Sequence, residues 1–291
     1  MPNLGLLFDV DGPLASPLTR TVAIPGILDD LVTLAAAGVP IAFITGRSDA
    51  FVEEQLLAPL LDAGLPAALE SGHGRMFGVF EKGAVWAPIT ATGMGAITVD
   101  ESVRLPESVV HGLRTLTERE FADTMFFDDT KRAMVSVEQR TDVDADRYKA
   151  AQAAFNDAAF ALLVRAGVGI GYGSRFRADE QGELPFRIDP TIISTDIESV
   201  LLDKDRGAER AVRYFSELGE LPRRWRTVGD SRSDYKMADY LHAAGFEVAH
   251  VDVRPSDGIP EKPYPVVTLG DSIHDEAGAL FLDHWVEELT G

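Results

Sequence analysis

Two aspartates, one residue apart, follow the first apolar run of the chain. The run Leu4–Phe8 is followed by Asp9, Val10, Asp11 and Gly12. A short apolar run predicts a buried strand, and side chains two residues apart in a strand point the same way. Ligands of open α/β sheets bind at the carboxyl ends of the strands. Asp9 and Asp11 are therefore candidates for chemistry, although a strand that ends in a simple turn has the same pattern.

Two other apolar runs also end in polar groups. Thr45, Gly46 and Arg47 follow the run 39–44, and Asp230 and Asp234 follow the run 225–228. A hydroxyl, a flexible backbone and a guanidinium suit phosphate oxygens, and the carboxylates suit a metal ion. Each group has a simpler interpretation as a helix N-cap, for which Ser48 or Asp49 would serve after the second run. Their occurrence at three strand ends favours a shared site.

The elements that would position these groups alternate between strands and helices. The first part of the chain predicts strand, helix, strand and helix at 4–8, 27–37, 39–44 and 50–63. The last part predicts helices and strands in turn at 207–218, 225–228, 235–244, 246–251, 265–269 and 276–289. This alternation predicts an α/β protein with a Rossmann-like, doubly wound parallel sheet.

The middle of the chain has a different pattern. Residues 134–140 alternate like a half-exposed strand, as do stretches near 168–172 and 186–193. Helical patterns at 106–122 and 145–166 separate these strands. We predict an α+β cap domain at residues 83–195, inserted into a core formed by residues 1–82 and 196–291.

Composition excludes several classes of function. The chain has 291 residues, 27 of them basic and 47 acidic, for a net charge of −20, which argues against non-specific binding of nucleic acid or anionic lipid. It has no cysteine, so disulfides, thiolate catalysis and cysteine metal sites are excluded. No signal-peptide pattern is found, and no apolar run reaches the roughly 18 residues of a membrane span. We expect a cytoplasmic protein with a small-molecule partner.

These motifs resemble those of the haloacid dehalogenase superfamily, in the branch with a large α/β cap between the second and third motifs. The stretches 9–12, 45–47 and 229–234 resemble the first, second and fourth motifs of that family. Residues 70–74, which include His73, resemble the Asn-Gly-Ala element that precedes the cap. Residues 128–131, with the following strand to Arg140, are similar to cap segments of trehalose-phosphate and sucrose-phosphate phosphatases.

The resemblance implies a Mg²⁺-dependent phosphatase for a small phosphorylated metabolite such as a sugar phosphate. Asp9 would attack phosphorus and form an aspartyl-phosphate, and Asp11 would protonate the leaving oxygen and then deprotonate water. The cap would close over the site and select the leaving group. The implied metal site comprises Asp9, the carbonyl of Asp11, Asp230 and, through waters, Asp234. The implied phosphate site comprises Thr45, Gly46, Arg47 and Lys204.

The third motif departs from the family pattern. It should supply a lysine next to a glycine, but Lys204 lies two residues too early and Arg206 precedes Gly207. We favour Lys204, because a compact ammonium is the usual partner of the nucleophile, and Arg206 is the alternative. Either residue could instead pair with a neighbouring aspartate on the surface. A second Gly-Asp-Ser-x-x-Asp occurs at 270–275, but the copy at 229–234 lies where the fourth motif belongs.

The substrate and the exact reaction stay open. Candidate substrate contacts in the cap are Lys131, Arg140 and Arg187, together with Asp129, Arg175 and Arg177. A charged rim on a solvated domain would show the same residues, and His73 could be an ordinary loop histidine. Two other functions remain alternatives: a phosphosugar mutase of the same superfamily and a non-catalytic sugar-phosphate-binding protein.

Overall fold

A computed structural model describes residues 2–71 and 74–290 of the chain. The strands are β1 (Leu4–Phe8), β2 (Pro40–Ile44), β3 (Arg75–Phe80), β4 (Val85–Thr90), β5 (Gly93–Met94), β6 (Thr98–Val99), β7 (Met125–Phe127), β8 (Val135–Gln139), β9 (Ile170–Tyr172), β10 (Arg175–Arg177), β11 (Phe186–Pro190), β12 (Ser194–Ser199), β13 (Arg224–Gly229), β14 (Glu247–Asp252) and β15 (Val266–Val267).

The helices lie mainly between these strands. They are α1 (Pro25–Ala36), α2 (Asp49–Val52), α3 (Ala58–Asp62), α4 (Leu65–Glu70), α5 (Glu107–Leu116), α6 (Ala145–Arg165), α7 (Lys204–Leu218), α8 (Tyr235–Ala243) and α9 (His274–Thr290). A π-helical segment, Glu53–Leu57, joins α2 to α3, and another, Thr117–Phe121, continues α5. None of the helices in the described part of the chain has both the length and the apolar character of a membrane span.

The chain forms two compact units. The core unit comprises Met1–Thr98 and Asp203–Gly291, and the inserted unit comprises Val99–Leu202. The sequence prediction placed the borders differently, at residues 83 and 195. In the structure β4 pairs with β3 and β5 pairs with β4, so these strands extend the core sheet. β12 pairs with β8 and β11, so it lies in the sheet of the inserted unit.

The core sheet has the order β15-β14-β13-β1-β2-β3-β4-β5. Neighbouring strands from β15 to β3 are parallel, and β4 and β5 are antiparallel additions. The chain order reverses between β1 and β13, since β2 and β3 lie on one side and β14 and β15 on the other. In a doubly wound sheet, such a reversal opens a crevice at the carboxyl ends of the strands. The predicted α/β fold class is confirmed.

Helices cover both faces of this sheet. On one face, α7 and α8 pack against the strands through an apolar cluster that includes Leu7, Ile44, Val79, Ala211, Phe215 and Leu241. On the other face, α1 packs against α9, and Phe8 meets Trp285 of α9 edge to face, with ring centroids 6.1 Å apart. β1 and β2 are consequently buried along their whole length. Polar chemistry is therefore confined to the ends of these strands.

The inserted unit has its own sheet, in the order β10-β9-β11-β12-β8-β7. Its apolar core joins the helices α5 and α6 to the strands, through residues such as Leu113, Val137, Phe155 and Ile197. β12 pairs antiparallel with both of its neighbours and lies inside the sheet. The unit is therefore the α+β insertion that the middle of the sequence predicts.

Candidate active site

Asp9 is the first residue after β1 and is buried. Its Oδ1 accepts a hydrogen bond from the amide of Val10 at 2.7 Å and lies 2.7 Å from Nζ of Lys204. Its own amide donates to the carbonyl of Val228 at 2.9 Å, which joins the ends of β1 and β13. Burial raises the pKa of the Asp9 carboxyl well above its ordinary value, although the charge of Lys204 works against this shift.

Lys204 begins α7 and reaches the ends of two strands. Its Nζ lies 2.7 Å from Oδ1 of Asp9, 2.8 Å from Oδ1 of Asp234 and 2.7 Å from the carbonyl of Ile44. Burial lowers the pKa of Lys204, but the two carboxylates outweigh burial and raise it, so the ammonium is charged. A Cβ atom on Gly207 would lie 2.3 Å from Cγ2 of Ile44. Glycine therefore lets the first turn of α7 approach β2 closely enough for this contact.

Arg206, the alternative cation, packs at another place. Its Cγ would lie 3.1 Å from a Cβ atom on Gly83, which belongs to the turn after β3. Asp203 caps the amide of Lys204, because its Oδ1 accepts a hydrogen bond from that amide at 2.9 Å. Lys204 is therefore the cation that contacts both Asp9 and Asp234.

Asp234 and Asp230 come from the loop after β13. Oδ2 of Asp234 accepts hydrogen bonds from the amides of Asp230 and Ser231, at 3.1 and 2.9 Å, and from the hydroxyl of Ser231 at 2.7 Å. Burial works to raise the pKa of Asp234, but Lys204 and the hydroxyl of Ser231 lower it overall. Burial and the charge of Asp234 raise the pKa of Asp230 to about 6.

The turn after β1 lies directly against this loop. Gly12 has a φ angle of +92°, in the left-handed region that favours glycine. A Cβ atom at this position would lie 2.7 Å from Cγ of Asp230. Only glycine therefore allows the first-motif turn to approach the fourth-motif loop so closely.

The buried carboxylates fit a hard divalent cation. Asp9, Asp230 and Asp234 each offer a ligand oxygen, and these atoms lie within 4.8 Å of one another. Mg²⁺ prefers such oxygen ligands. Burial is the main cause of the raised pKa values of Asp9 and Asp230, and the negative charge of the neighbouring carboxylates raises them further. A divalent cation would balance that charge, so the donor set fits the predicted metal.

Asp11 and Arg47 form a bidentate ion pair. Nε of Arg47 donates to Oδ2 of Asp11 at 2.9 Å, and Nη2 donates to Oδ1 at 3.1 Å. The guanidinium also lies over the ring of Phe51, 4.6 Å from its centroid. The side chain of Asp11 is 35% exposed and that of Arg47 is 14% exposed. The predicted proton-transfer group and a predicted phosphate ligand are thus partners of each other.

Thr45 and Gly46 lie in a loop that a second segment supports. Oγ1 of Thr45 accepts a hydrogen bond from the amide of Arg47 at 3.1 Å. The side chain of Ser48 accepts a hydrogen bond from the amide of Phe51 and caps α2, which confirms the N-cap interpretation of Ser48. The carbonyl of Thr45 accepts from the amide of Lys82 at 3.0 Å.

Sequence reasoning missed this supporting segment, Glu81–Lys82. Both residues have positive φ angles, +49° and +53°, which is uncommon for residues other than glycine. Cε of Lys82 would lie 3.7 Å from a Cβ atom on Gly46. Gly83, which follows the end of β3, is the sequence feature from which this segment could have been predicted.

Comparisons with known proteins identify the fold. No family model and no curated protein sequence matches the chain. The trehalose-6-phosphate phosphatase C-terminal domain of C. albicans matches with a TM-score of 0.63 and 14% identity, over 98% of this chain and 93% of that one. A haloacid dehalogenase-like hydrolase from Bacteroides thetaiotaomicron matches with a TM-score of 0.58 and 11% identity, over 97% and 98%. The chain has the haloacid dehalogenase-like fold.

A third match agrees with this fold. The trehalose-6-phosphate phosphatase of Aspergillus fumigatus matches with a TM-score of 0.51 and 15% identity, over 98% of this chain and 93% of that one. The resemblance predicted from the motifs is therefore confirmed for the haloacid dehalogenase-like fold, with its inserted unit between the second and third motifs.

Five of the six candidate substrate residues of the inserted unit make ion pairs within that unit. Arg140 binds Asp142 in a bidentate pair at 3.0 and 3.2 Å. Arg187 donates to the buried carboxylate of Glu198 at 2.7 Å. The remaining candidates are Lys131, 3.9 Å from Asp128; Asp129, paired with Arg114; Arg175, 2.6 Å from Asp157; and Arg177, exposed on β10. Their contacts with substrate stay predictions in this haloacid dehalogenase-like fold, and His73 lies outside the described residues.

The second Gly-Asp-Ser-x-x-Asp copy precedes and begins α9. Within the described residues, the carboxylate cluster draws on Asp230 and Asp234 but not on Asp271 or Asp275. The later copy instead contributes His274, whose Nδ1 lies 3.8 Å from Oδ2 of Asp230. The two copies therefore offer a matched pair of carboxylates for testing the metal site.

We expect Asp230→Asn to weaken Mg²⁺ binding by about 100-fold or more, since even outer-sphere changes cost 10- to 100-fold. Asp271→Asn, which alters the same motif position in the later copy, should bind Mg²⁺ like the unaltered chain. Isothermal titration calorimetry with Mg²⁺ measures both affinities without requiring turnover. Equal losses in the two variants would contradict the assignment of Asp230.

Proposed function

We propose that this chain is a Mg²⁺-dependent phosphomonoester hydrolase acting on a small phosphorylated metabolite. The observation that carries the proposal is the Lys204 ammonium held between Asp9 and Asp234, with Asp230 beside them, at the reversal point of the sheet. Two proteins of similar fold are named trehalose-6-phosphate phosphatases. A sugar phosphate is therefore the first substrate class to test.

Asp9 supplies the nucleophile in this mechanism. Its Oδ1 is held by the amide of Val10 and by Lys204, so Oδ2 is the oxygen that attacks phosphorus. Attack forms an aspartyl-phosphate and breaks the bond to the alcohol oxygen, which takes a proton from Asp11. Asp11 then takes a proton from water as the water oxygen attacks phosphorus. Inorganic phosphate leaves and the Asp9 carboxylate is restored.

Other residues of the site bind the charges of the phosphoryl group. Lys204, the hydroxyl of Thr45 and the amide of Gly46 supply fixed donors for its oxygens. Asp9, Asp230 and the carbonyl of Asp11 would hold Mg²⁺, with Asp234 acting through waters. Bound Mg²⁺ supplies positive charge that reduces the repulsion between the anionic nucleophile and the anionic phosphate.

We expect release of inorganic phosphate from at least one member of a panel of sugar phosphates, disaccharide phosphates and phosphorylated sugar acids. EDTA should abolish the release and added Mg²⁺ should restore it, because the clustered carboxylates of Asp9, Asp230 and Asp234 repel an anionic phosphate unless a cation is bound among them. Colorimetric phosphate detection with and without the metal measures both effects.

Two results would contradict the hydrolase proposal. An isomeric sugar phosphate formed without phosphate release would identify a mutase. Binding of a sugar phosphate without turnover anywhere on the panel would identify a binding protein. Chromatography of the products and calorimetry of the same compounds separate these outcomes.

A further inference from the structure

The Arg47–Asp11 ion pair joins two groups whose proposed roles require other partners. Asp11 must exchange a proton with the leaving oxygen and then with water, and Arg47 is expected at the phosphoryl oxygens. In the structure both oxygens of Asp11 accept hydrogen bonds from the one guanidinium. A bidentate pair of this kind is strong and geometrically specific. The carboxylate is therefore occupied as an acceptor before any substrate arrives.

The backbones on either side of the ion pair are fixed. The amide of Arg47 donates to Thr45 Oγ1 at 3.1 Å, and its carbonyl accepts from the amide of Glu81 at 3.0 Å. The backbone of Asp11 forms an isolated parallel β-bridge with the backbone of Ala15, and the amide of Gly12 donates to the carbonyl of Ala15 at 2.9 Å. Any change of partner must consequently come from the side chains.

The position of Arg47 allows such a change. Its backbone belongs to the same loop as Thr45 and Gly46, whose hydroxyl and amide are proposed to bind the phosphoryl group. The face of its guanidinium packs on the ring of Phe51. The edge of the guanidinium, which carries the N–H groups, therefore points toward an anion. A phosphomonoester, like a carboxylate, offers two oxygens that a guanidinium can bind in a bidentate way, and it carries more charge. It is therefore a competitive partner for Arg47.

We propose that the substrate's phosphoryl group displaces the Asp11 carboxylate from Arg47, so that phosphate binding releases the group that transfers the proton. The released carboxylate takes a proton from water before it gives one to the leaving oxygen, and it returns that proton to water when it pairs with Arg47 again. This exchange rests on the proposed hydrolase function and gives Arg47 a second role, as the positioning residue of Asp11. Because one anion replaces another, the guanidinium keeps a partner throughout. Proton transfer by Asp11 becomes available only when a phosphoryl group is present.

A double-mutant cycle on phosphate binding tests the exchange. The probe is inorganic phosphate, titrated calorimetrically in Mg²⁺ into the unaltered chain, Asp11→Ala, Arg47→Met and the double variant. Asp11→Ala should tighten phosphate binding by about tenfold when Arg47 is present, because it removes the competing partner. In the Arg47→Met background the same change should have an effect of about twofold or less, which arises from the lost negative charge alone.

The cycle separates the exchange from general electrostatics and from turnover. An equal effect of Asp11→Ala in both backgrounds would overturn the exchange, as would failure of the unaltered chain to bind phosphate at millimolar concentrations. Thermal unfolding of all four proteins verifies that each is folded. Because the cycle measures phosphate binding only, its result tests the exchange even if no compound on the substrate panel is turned over. If turnover is found but the effects of the two substitutions are additive, the exchange is wrong and the hydrolase proposal is unaffected.

Discussion

Replacement of Asp9 by asparagine is expected to lower kcat by about 10⁴-fold or more, as loss of a nucleophile does in other enzymes. An amide oxygen does not form the aspartyl-phosphate, whereas the shape of the side chain is unchanged. The fold should survive, because the substitution removes one of several buried negative charges and the amide oxygen of the new side chain can still accept from the amide of Val10. Phosphate release measures kcat, and urea denaturation measures the free energy of unfolding.

Asp29→Asn is the matched control for this variant. Asp29 lies exposed on α1, so the same change in charge and shape should leave kcat unaltered. Mass spectrometry of the Asp9→Asn protein checks that the asparagine has not deamidated back to aspartate. An intact Asp9→Asn protein that keeps a tenth of the original rate would contradict the nucleophile assignment.

The sequence pattern was sufficient to predict most of what brings the site together. β1, β2 and β13 are apolar runs that each end in a polar group, and parallel strands bring their carboxyl ends to one edge of the sheet. Asp9 and Lys204 meet there, as do Asp230 and Asp234. The partner of Arg47 was beyond such reasoning, because a pattern places a residue in a loop without specifying which anion its side chain binds.

Two other features depend on tertiary packing. β12 is a buried internal strand although four of its six residues are serine, aspartate or glutamate, which are poor strand formers or polar by nature. Its polar groups find partners across the sheet, as when Ser136 donates to Asp196 at 2.8 Å. Lys204 reaches Asp9 from two residues before the expected position, because Gly207 lets α7 approach Ile44. Local sequence patterns predict neither the partners of the polar groups in β12 nor the contact of Lys204 with Asp9.

Replacement of Lys204 by methionine is expected to impair both the reaction and the fold. Removing one partner of a buried ion pair typically destabilises a protein by about 3–5 kcal/mol, and here two carboxylates, Asp9 and Asp234, lose the same ammonium. Loss of a fixed donor to the developing charge should also lower kcat by about 10²–10³-fold. Urea denaturation in EDTA measures the first effect, and phosphate release under conditions that keep the variant folded measures the second.

Arg206→Met is the comparison that decides the third motif. Both changes remove one positive charge from the first turn of α7 and leave a flexible apolar side chain. Because Arg206 packs at Gly83 and Lys204 contacts the carboxylates, Arg206→Met should keep kcat within about twofold, in line with a residue outside the reacting groups. The opposite ranking, with Lys204→Met active and Arg206→Met inactive, would transfer the role to Arg206. The free energy of unfolding without metal is an independent test. Loss of Lys204, unlike loss of Arg206, leaves Asp9 and Asp234 close together with no ammonium between them.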